Sequence, residues 1–255
     1  MIFDWIREHH RKELLAAPFP AEWAGYLERN VSHYALLNQE ERAKLQDDLR
    51  VFAHEKSWEG CGGFEMTDEA RVTIAGLACL LVLARPHDYF ANVESILVYP
   101  TGYVARDRAV GPDGVVREGP SARLGEAWRN GPVVLSWLDV KTGAMNGQDG
   151  RNVVLHEFAH KLDLTDGSAN GVPRLKDDAQ YEQWADVMSA EYERLVRDVE
   201  HGHATLLDEY AATNAAEFFA VATECFFEKS PQMRETHADL YEVLKAFYNQ
   251  DPAER

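Results

Sequence analysis

Cysteine is scarce in this sequence of 255 residues. Its three cysteines, Cys61, Cys79 and Cys225, are odd in number and form no CxxC pair. This pattern argues against a disulfide framework and against a zinc site built from thiolates. Any chemistry must therefore come from other side chains.

Long hydrophobic runs are also missing. The longest covers residues 74–84, which is 11 residues, whereas a helix that spans a bilayer needs about 18. Residues 1–7 are charged within a few positions and lack the apolar stretch and cleavage site of a signal peptide. We therefore expect a cytoplasmic protein without a membrane span.

Basic residues are few. Lys and Arg total 26 against 43 Asp and Glu, which gives a formal net charge of −17. A surface this acidic repels phosphate backbones, so direct binding to nucleic acid or to an anionic membrane is not expected. The sequence has no repeat, low-complexity segment or clear linker, and this predicts one domain over residues 1–255, with a helical N-terminal part at 1–60 and a core part at 61–255.

Hydrophobic periodicity predicts helices in the first and last thirds of the chain. Asn38 and Glu41 form a capping-box signature, and Thr67 begins a helix through Ala84 that is apolar nearly all round. A turn-rich break at residues 59–63 precedes it. The predicted amphipathic helices cover about 2–15, 20–30, 39–54, 151–164, 178–200, 214–229 and 237–248.

Residues 92–137 contain short β-branched and aromatic runs, which predict a small sheet of about four strands. The runs lie at 96–99, 103–104, 115–116 and 133–137, with a turn at Pro112-Asp113-Gly114. Their hairpin-like spacing predicts a mainly antiparallel sheet, and the whole pattern predicts an α+β fold. The run 133–137 is either an edge strand, to which an extended peptide could add, or an internal strand.

The segment His156-Glu157-Phe158-Ala159-His160 is an H-E-x-x-H motif within an apolar helical stretch. A spacing of four residues places both imidazoles on one helix face, where they can converge on one Zn²⁺. Glu157 is then positioned to reach a metal-bound water and act as general base. The alternative is a solvated helix face, but the apolar flanks make unliganded histidines there costly.

Two imidazoles and a water leave a tetrahedral site one ligand short. The candidates for the missing ligand are Glu217, Glu224, His201 and His203. Glu217 is the better placed, because it opens a helix amid apolar neighbours. Glu224 lies on the same helical face two turns later and is either a hydrogen-bond partner of a ligand or a carboxylate at the edge of the core. His201 and His203 flank a predicted C-terminal cap, Gly202, and are interpreted as surface residues.

Two further side chains are candidates for supporting roles. Asp163 shares the face of His156, so it could accept the other ring N–H of a ligand, or it could be an ordinary polar residue at the helix end. Tyr210 precedes Glu217 by seven residues, so its hydroxyl could approach the metal and stabilise an oxyanion; spacing alone favours a buried core tyrosine.

Three segments, residues 58–63, 152–163 and 214–220, together resemble the family of Mlc titration factor A, which are bacterial zinc-dependent peptidases. The likeness extends over nearly the whole chain, to about residue 245. It implies a zincin-like catalytic core and a gluzincin site related to the catalytic domain of anthrax lethal factor. By motif position it implies one zinc ion per chain on His156, His160 and Glu217, with Glu157 as the base and Tyr210 as the oxyanion-stabilising residue.

The resemblance also implies aminopeptidase-type cleavage of short peptide substrates. In enterobacteria it further implies binding to the glucose repressor Mlc. Two interpretations follow: an active zinc peptidase, or a regulatory protein that sequesters a transcription repressor and in which peptidase activity is secondary. The acidic surface would suit a basic DNA-binding partner.

Overall fold

The computed structural model describes residues 2–101, 108–110, 116–118 and 131–255. Helices make up most of the described chain, as the sequence predicts. They are α1 (Ile2–Ala16), α2 (Ala21–Asn30), α3 (Gln39–Glu55), α4 (Asp68–Val82), α5 (Trp137–Met145), α6 (Val153–Asp163), α7 (Asp178–Glu200), α8 (Ala215–Glu228), α9 (Ser230–Thr236) and α10 (Ala238–Tyr248). Among these helices, none combines the length and apolar character that a bilayer crossing requires.

The predicted caps of α3 and α4 are both formed. The Asn38 side chain accepts hydrogen bonds from the backbone N–H groups of Glu40 and Glu41, and the Glu41 side chain accepts one from the backbone of Asn38. Thr67 accepts a hydrogen bond from the backbone N–H of Ala70. Each cap satisfies N–H groups that a helix start otherwise leaves without partners.

The strands are β1 (Ser57–Gly60), β2 (Ser95–Tyr99), β3 (Arg108–Val110), β4 (Val116–Glu118) and β5 (Val133–Ser136). The prediction of a mainly antiparallel sheet is wrong, because β1, β2 and β5 form a parallel sheet in that order. Parallel neighbours need a crossover connection, and α4 supplies the one between β1 and β2. The antiparallel pair is a separate ribbon of β3 and β4. The predicted strand at 103–104 and the turn at 112–114 lie outside the described residues.

Two further element boundaries differ from the prediction. Strand β1 occupies part of the predicted break at 59–63. The turn itself is formed by the two glycines that follow the strand, Gly62 with a φ of +60° and Gly63 with a φ of +84°. The predicted strand 133–137 ends at Ser136, whose side chain caps α5 by accepting from the backbone of Asp139. The strand therefore ends one residue before the apolar run does, and Trp137 already belongs to α5.

Helix α4 lies at the centre of the core, as its apolar circumference predicts. It contacts α2, α3, α5 and α6, and its residues from Val72 to Val82 are all buried. Burying a Val, Leu or Ile side chain contributes about 1.5–3 kcal/mol. Gly76 allows α2 to approach closely, because a Cβ there would come within 2.8 Å of Leu27. On its other side α4 supports α6, the helix that carries H-E-x-x-H.

Candidate metal centre

Helix α6 presents the H-E-x-x-H motif on its partly exposed face. Its buried face carries apolar residues such as Leu155 and Phe158, and it packs against α8, α4 and β5. Asn152 caps its start by accepting a hydrogen bond from the backbone N–H of Leu155. The side chains of His156 and His160 keep 15% and 19% of their surface exposed, so solvent and ligands can reach them.

Three donor atoms converge between α6 and α8. Oε2 of Glu217 lies 3.0 Å from Nε2 of His156 and 3.4 Å from Nε2 of His160. The two Nε2 atoms are 3.2 Å apart. Ligands about 2.0–2.1 Å from a tetrahedral zinc ion lie roughly 3.3–3.4 Å from one another. The donor set and its spacing therefore fit a zinc ion with three protein ligands.

Glu224 holds the opposite side of the His156 ring. Its Oε1 lies 2.5 Å from Nδ1 of His156, so it accepts that ring's N–H and directs Nε2 toward the donor cluster. Fixing the tautomer in this way is what carboxylates commonly do behind metal-bound histidines. The structure thus places Glu217 and Glu224 at different nitrogens of one ring.

The two glutamates also set the charge of the donor cluster. Burial would lower the pKa of His156, but hydrogen bonds with Glu217 and Glu224 outweigh it and raise that pKa to about 10. Burial would raise the pKa of Glu217, but its hydrogen bonds with His156 and His160 lower it to about 2. A cluster that holds a proton this firmly also offers strong attraction to a metal cation in its place.

Glu157 lies beside this cluster, and its pKa is shifted in the opposite direction to that of Glu217. Burial raises the pKa of its carboxyl, while the charges of His160 and His156 act in the opposite direction. A carboxylate with a raised pKa is a stronger proton acceptor than one in open solvent. Glu157 is thus suited to take a proton from a group held at the cluster.

Tyr210 lies on the 3₁₀ turn Glu209–Ala212, which leads into α8. Its ring centroid is 6.2 Å from that of His156, and the side chain is 54% exposed, so it is not a core tyrosine. Asp208 accepts hydrogen bonds from the backbone N–H of Tyr210 at 3.0 Å and from the Arg151 side chain at 2.6 Å. These contacts fasten the turn to the start of α6 beside the donor cluster.

The remaining candidates make the following contacts. Asp163 is fully buried at the end of α6, and its Oδ2 accepts a hydrogen bond from the backbone of Gly171. His201 and His203 are exposed after α7 and bond to the Arg197 carbonyl and to Asp198, in agreement with their interpretation as surface residues. Sequence reasoning did not single out Asn152 or Arg151, although Asn152 has the residue type of a helix cap.

Comparison with known proteins gives a family and several relatives. The family model of the glucose-regulated metallo-peptidases M90 matches residues 5–249. An uncharacterised protein of Synechocystis is 39% identical over 98% of this chain and 90% of its own length. Mlc titration factor A of Serratia proteamaculans is 33% identical over 86% of this chain and 84% of its own, and that of Escherichia coli is 31% identical over 86% and 83%. The resemblance inferred from three motifs is confirmed.

Proposed function

This chain belongs to the family of glucose-regulated metallo-peptidases M90, and we propose that it is a zinc-dependent peptidase whose ligands are His156, His160 and Glu217. The observation that carries this proposal is the convergence of the three donor atoms within 3.4 Å of one another. Two imidazoles and one carboxylate are a common ligand set of catalytic zinc, which keeps a fourth position for water or substrate.

Lewis-acid polarisation of a scissile carbonyl, together with increased acidity of water, is the chemistry that a zinc ion supplies in such a site. Glu157 takes the proton of the attacking water and later gives it to the leaving amine. The hydroxyl of Tyr210 donates a hydrogen bond to the oxygen that becomes negative as the carbonyl is attacked. Glu224 keeps the His156 ring in place throughout.

The substrate is a short peptide cleaved in the manner of an aminopeptidase. Strand β5 supports this proposal, because it pairs with β2 along one side and has no second partner among the described strands. It contacts α6, the helix that carries H-E-x-x-H. An extended peptide that added to β5 as a further strand would run close to the donor cluster.

A second candidate function is binding to a transcription repressor. Two of the similar proteins carry the name Mlc titration factor A, and a net charge of −17 favours association with a basic partner. In this function the peptidase site would be secondary. Peptide hydrolysis requires a proton acceptor, whereas binding of a repressor does not, so one variant can separate the two functions.

Glu157→Gln is that variant, since it removes the proton acceptor and keeps the size of the side chain. We expect turnover of a peptide panel to fall about 10²–10⁴-fold, with zinc content unchanged by elemental analysis. Binding to an Mlc-type repressor, measured by calorimetry, should survive. Unchanged turnover in Glu157→Gln would contradict the proposed peptidase mechanism.

Specificity is tested by a matched pair of peptides that differ only in acetylation of the N-terminus. Aminopeptidase-type cleavage requires the free amine, so the acetylated peptide should remain intact in the presence of the wild-type protein. Equal cleavage of both peptides would contradict this part of the proposal and leave the zinc site unaffected.

A further inference from the structure

Three consecutive backbone N–H groups just before α6 all donate to glutamates of α8. Gly150 and Arg151 donate to Oε2 of Glu228 at 2.9 and 3.0 Å, and Asn152 donates to Oε2 of Glu224 at 3.0 Å. Gly150 has a φ of +77°, a left-handed conformation that favours glycine. Successive N–H groups arranged in this way form a concave anion-binding site, and here the chain's own carboxylates occupy it.

Asn152 connects the two carboxylates. Its side-chain amide donates to Oε1 of Glu228 at 3.1 Å, its backbone N–H is held by Glu224, and its side-chain oxygen caps α6. Asn152 is therefore fixed by both glutamates. A shift of residues 150–152 would therefore move Asn152, which bonds to Glu224, together with the first turn of α6.

Glu224 passes this constraint on to the metal site. One of its oxygens accepts from Asn152, and the other accepts from Nδ1 of His156. Because the two oxygens belong to one rigid planar group, a displacement at one oxygen is transmitted to the other. The orientation of the His156 ring, and so the direction of its Nε2, depends on where Asn152 lies.

We propose that Glu228 is a positioning residue for zinc binding: by holding residues 150–152 it fixes Asn152, and through Asn152 the Glu224 carboxylate that orients His156. This inference rests on the proposed function, since it assumes that His156 is a zinc ligand. Glu228 does not belong to the donor cluster and acts only through its neighbours.

Only a carboxylate satisfies the donors around Glu228. Three N–H groups approach its two oxygens, and an ionised carboxylate accepts at both. Burial raises the pKa of Glu228 to about 8, so the comparison of variants is made above that pH, where this group is ionised. Glutamine offers one oxygen and a donating NH₂. If that oxygen takes the place of Oε2, the side-chain amide of Asn152 faces another donor, and in the opposite orientation the backbone N–H groups of Gly150 and Arg151 do. Glu228 is 6% exposed, and a buried N–H without an acceptor is unfavourable enough to displace the segment.

The test compares Glu228→Gln with Glu191→Gln. Glu191 is a suitable control, because it is a poorly exposed glutamate on α7 that accepts a hydrogen bond from another side chain, His237, at 2.7 Å and does not bond to residues 150–152. Zinc affinity is measured by competition with a chromophoric chelator, and the melting temperature is measured on metal-free protein. We expect Glu228→Gln to bind zinc about 10-fold more weakly and Glu191→Gln to bind it as the wild type does, even where both are less stable.

Cobalt(II) gives a readout that a loss of stability alone would not change. Its visible absorption reports the geometry of the ligands, so the spectrum of the cobalt-loaded protein should shift in Glu228→Gln and stay unchanged in Glu191→Gln. In the double variant Glu224→Gln, Glu228→Gln the loss of zinc affinity should be smaller than the product of the single losses, because Glu228 acts through Glu224.

Each possible result decides the inference. Wild-type zinc affinity in Glu228→Gln, equal weakening in Glu191→Gln, or fully multiplicative losses in the double variant would overturn it. Should Glu228→Gln fail to fold, Asn152→Ser replaces it: serine keeps the helix cap but loses the donor to Glu228, and tight wild-type binding in that variant would overturn the inference. A wild-type protein that binds no zinc would instead overturn the proposed function, and the inference with it.

Discussion

Glu224 holds His156 by Nδ1, the ring nitrogen opposite the one that faces the donor cluster, with 2.5 Å between Oε1 and Nδ1. Glu217, two helical turns earlier on α8, lies 3.0 Å from Nε2 of the same ring. The two glutamates therefore occupy opposite sides of one imidazole. Only Glu217 is placed to share a metal ion with both histidines.

Removal of each glutamate should have a different effect on zinc content. Glu217→Ala removes a proposed zinc ligand and should abolish stoichiometric zinc binding. Glu224→Ala removes the partner of a ligand and should weaken zinc binding by about 10–100-fold. Elemental analysis and chelator competition measure both effects. A zinc-replete but inactive Glu217→Ala protein would show that Glu217 is not the third ligand.

Tyr210→Phe tests the role of the phenolic hydroxyl. Tyr210 is 54% exposed, so losing its hydroxyl should leave the melting temperature and zinc content near those of the wild type. If the hydroxyl stabilises an oxyanion, kcat should fall about 10²–10³-fold. The reverse result, with stability lost and turnover per folded molecule kept, would indicate a structural tyrosine.

The helices could be predicted from the sequence because their signals are local. The Asn38 and Thr67 caps each act within three residues, and the apolar circumference of α4 shows its central position directly. The sheet could not be predicted in the same way. Spacing between β-type runs does not show whether a helix crosses between paired strands, and β1 carries only one apolar residue, Trp58.

The same distinction applies to the site. His156 and His160 are four residues apart on one helix, so their shared face follows from helix geometry alone. Choosing between Glu217 and Glu224 depends on how α8 packs against α6, and helical spacing places both on one face. The contact between Asn152 and Glu228 joins positions 76 residues apart, and nothing in either local sequence indicates that they meet.

Zinc affinity should keep rising with pH until well above neutrality. The pKa of His156 in the metal-free protein is raised to about 10 by Glu217 and Glu224 against the effect of burial, so zinc must displace a proton from that ring. Between pH 7 and 9 the affinity should increase about tenfold per pH unit. Calorimetry in two buffers with different ionisation enthalpies measures the proton release. No release at pH 8 would contradict the raised pKa.

Acid should destabilise the metal-free protein through His33. Burial lowers the pKa of this ring from 6.5 to about 4, and the effect exceeds that of the Phe227 backbone, which acts in the opposite direction. Below pH 6.5 the unfolded chain therefore binds a proton that the folded protein does not, and the free energy of unfolding falls as pH drops toward 4, by about 3 kcal/mol.

In His33→Leu that part of the pH dependence should disappear, whereas His10→Leu, at an exposed position on α1, should retain it. Urea unfolding of the three proteins with chelator present, at several pH values from 7 to 4, measures the difference. All other groups are common to the wild type and His33→Leu and cancel in the comparison, so parallel curves for these two proteins would show that His33 does not cause the acid sensitivity.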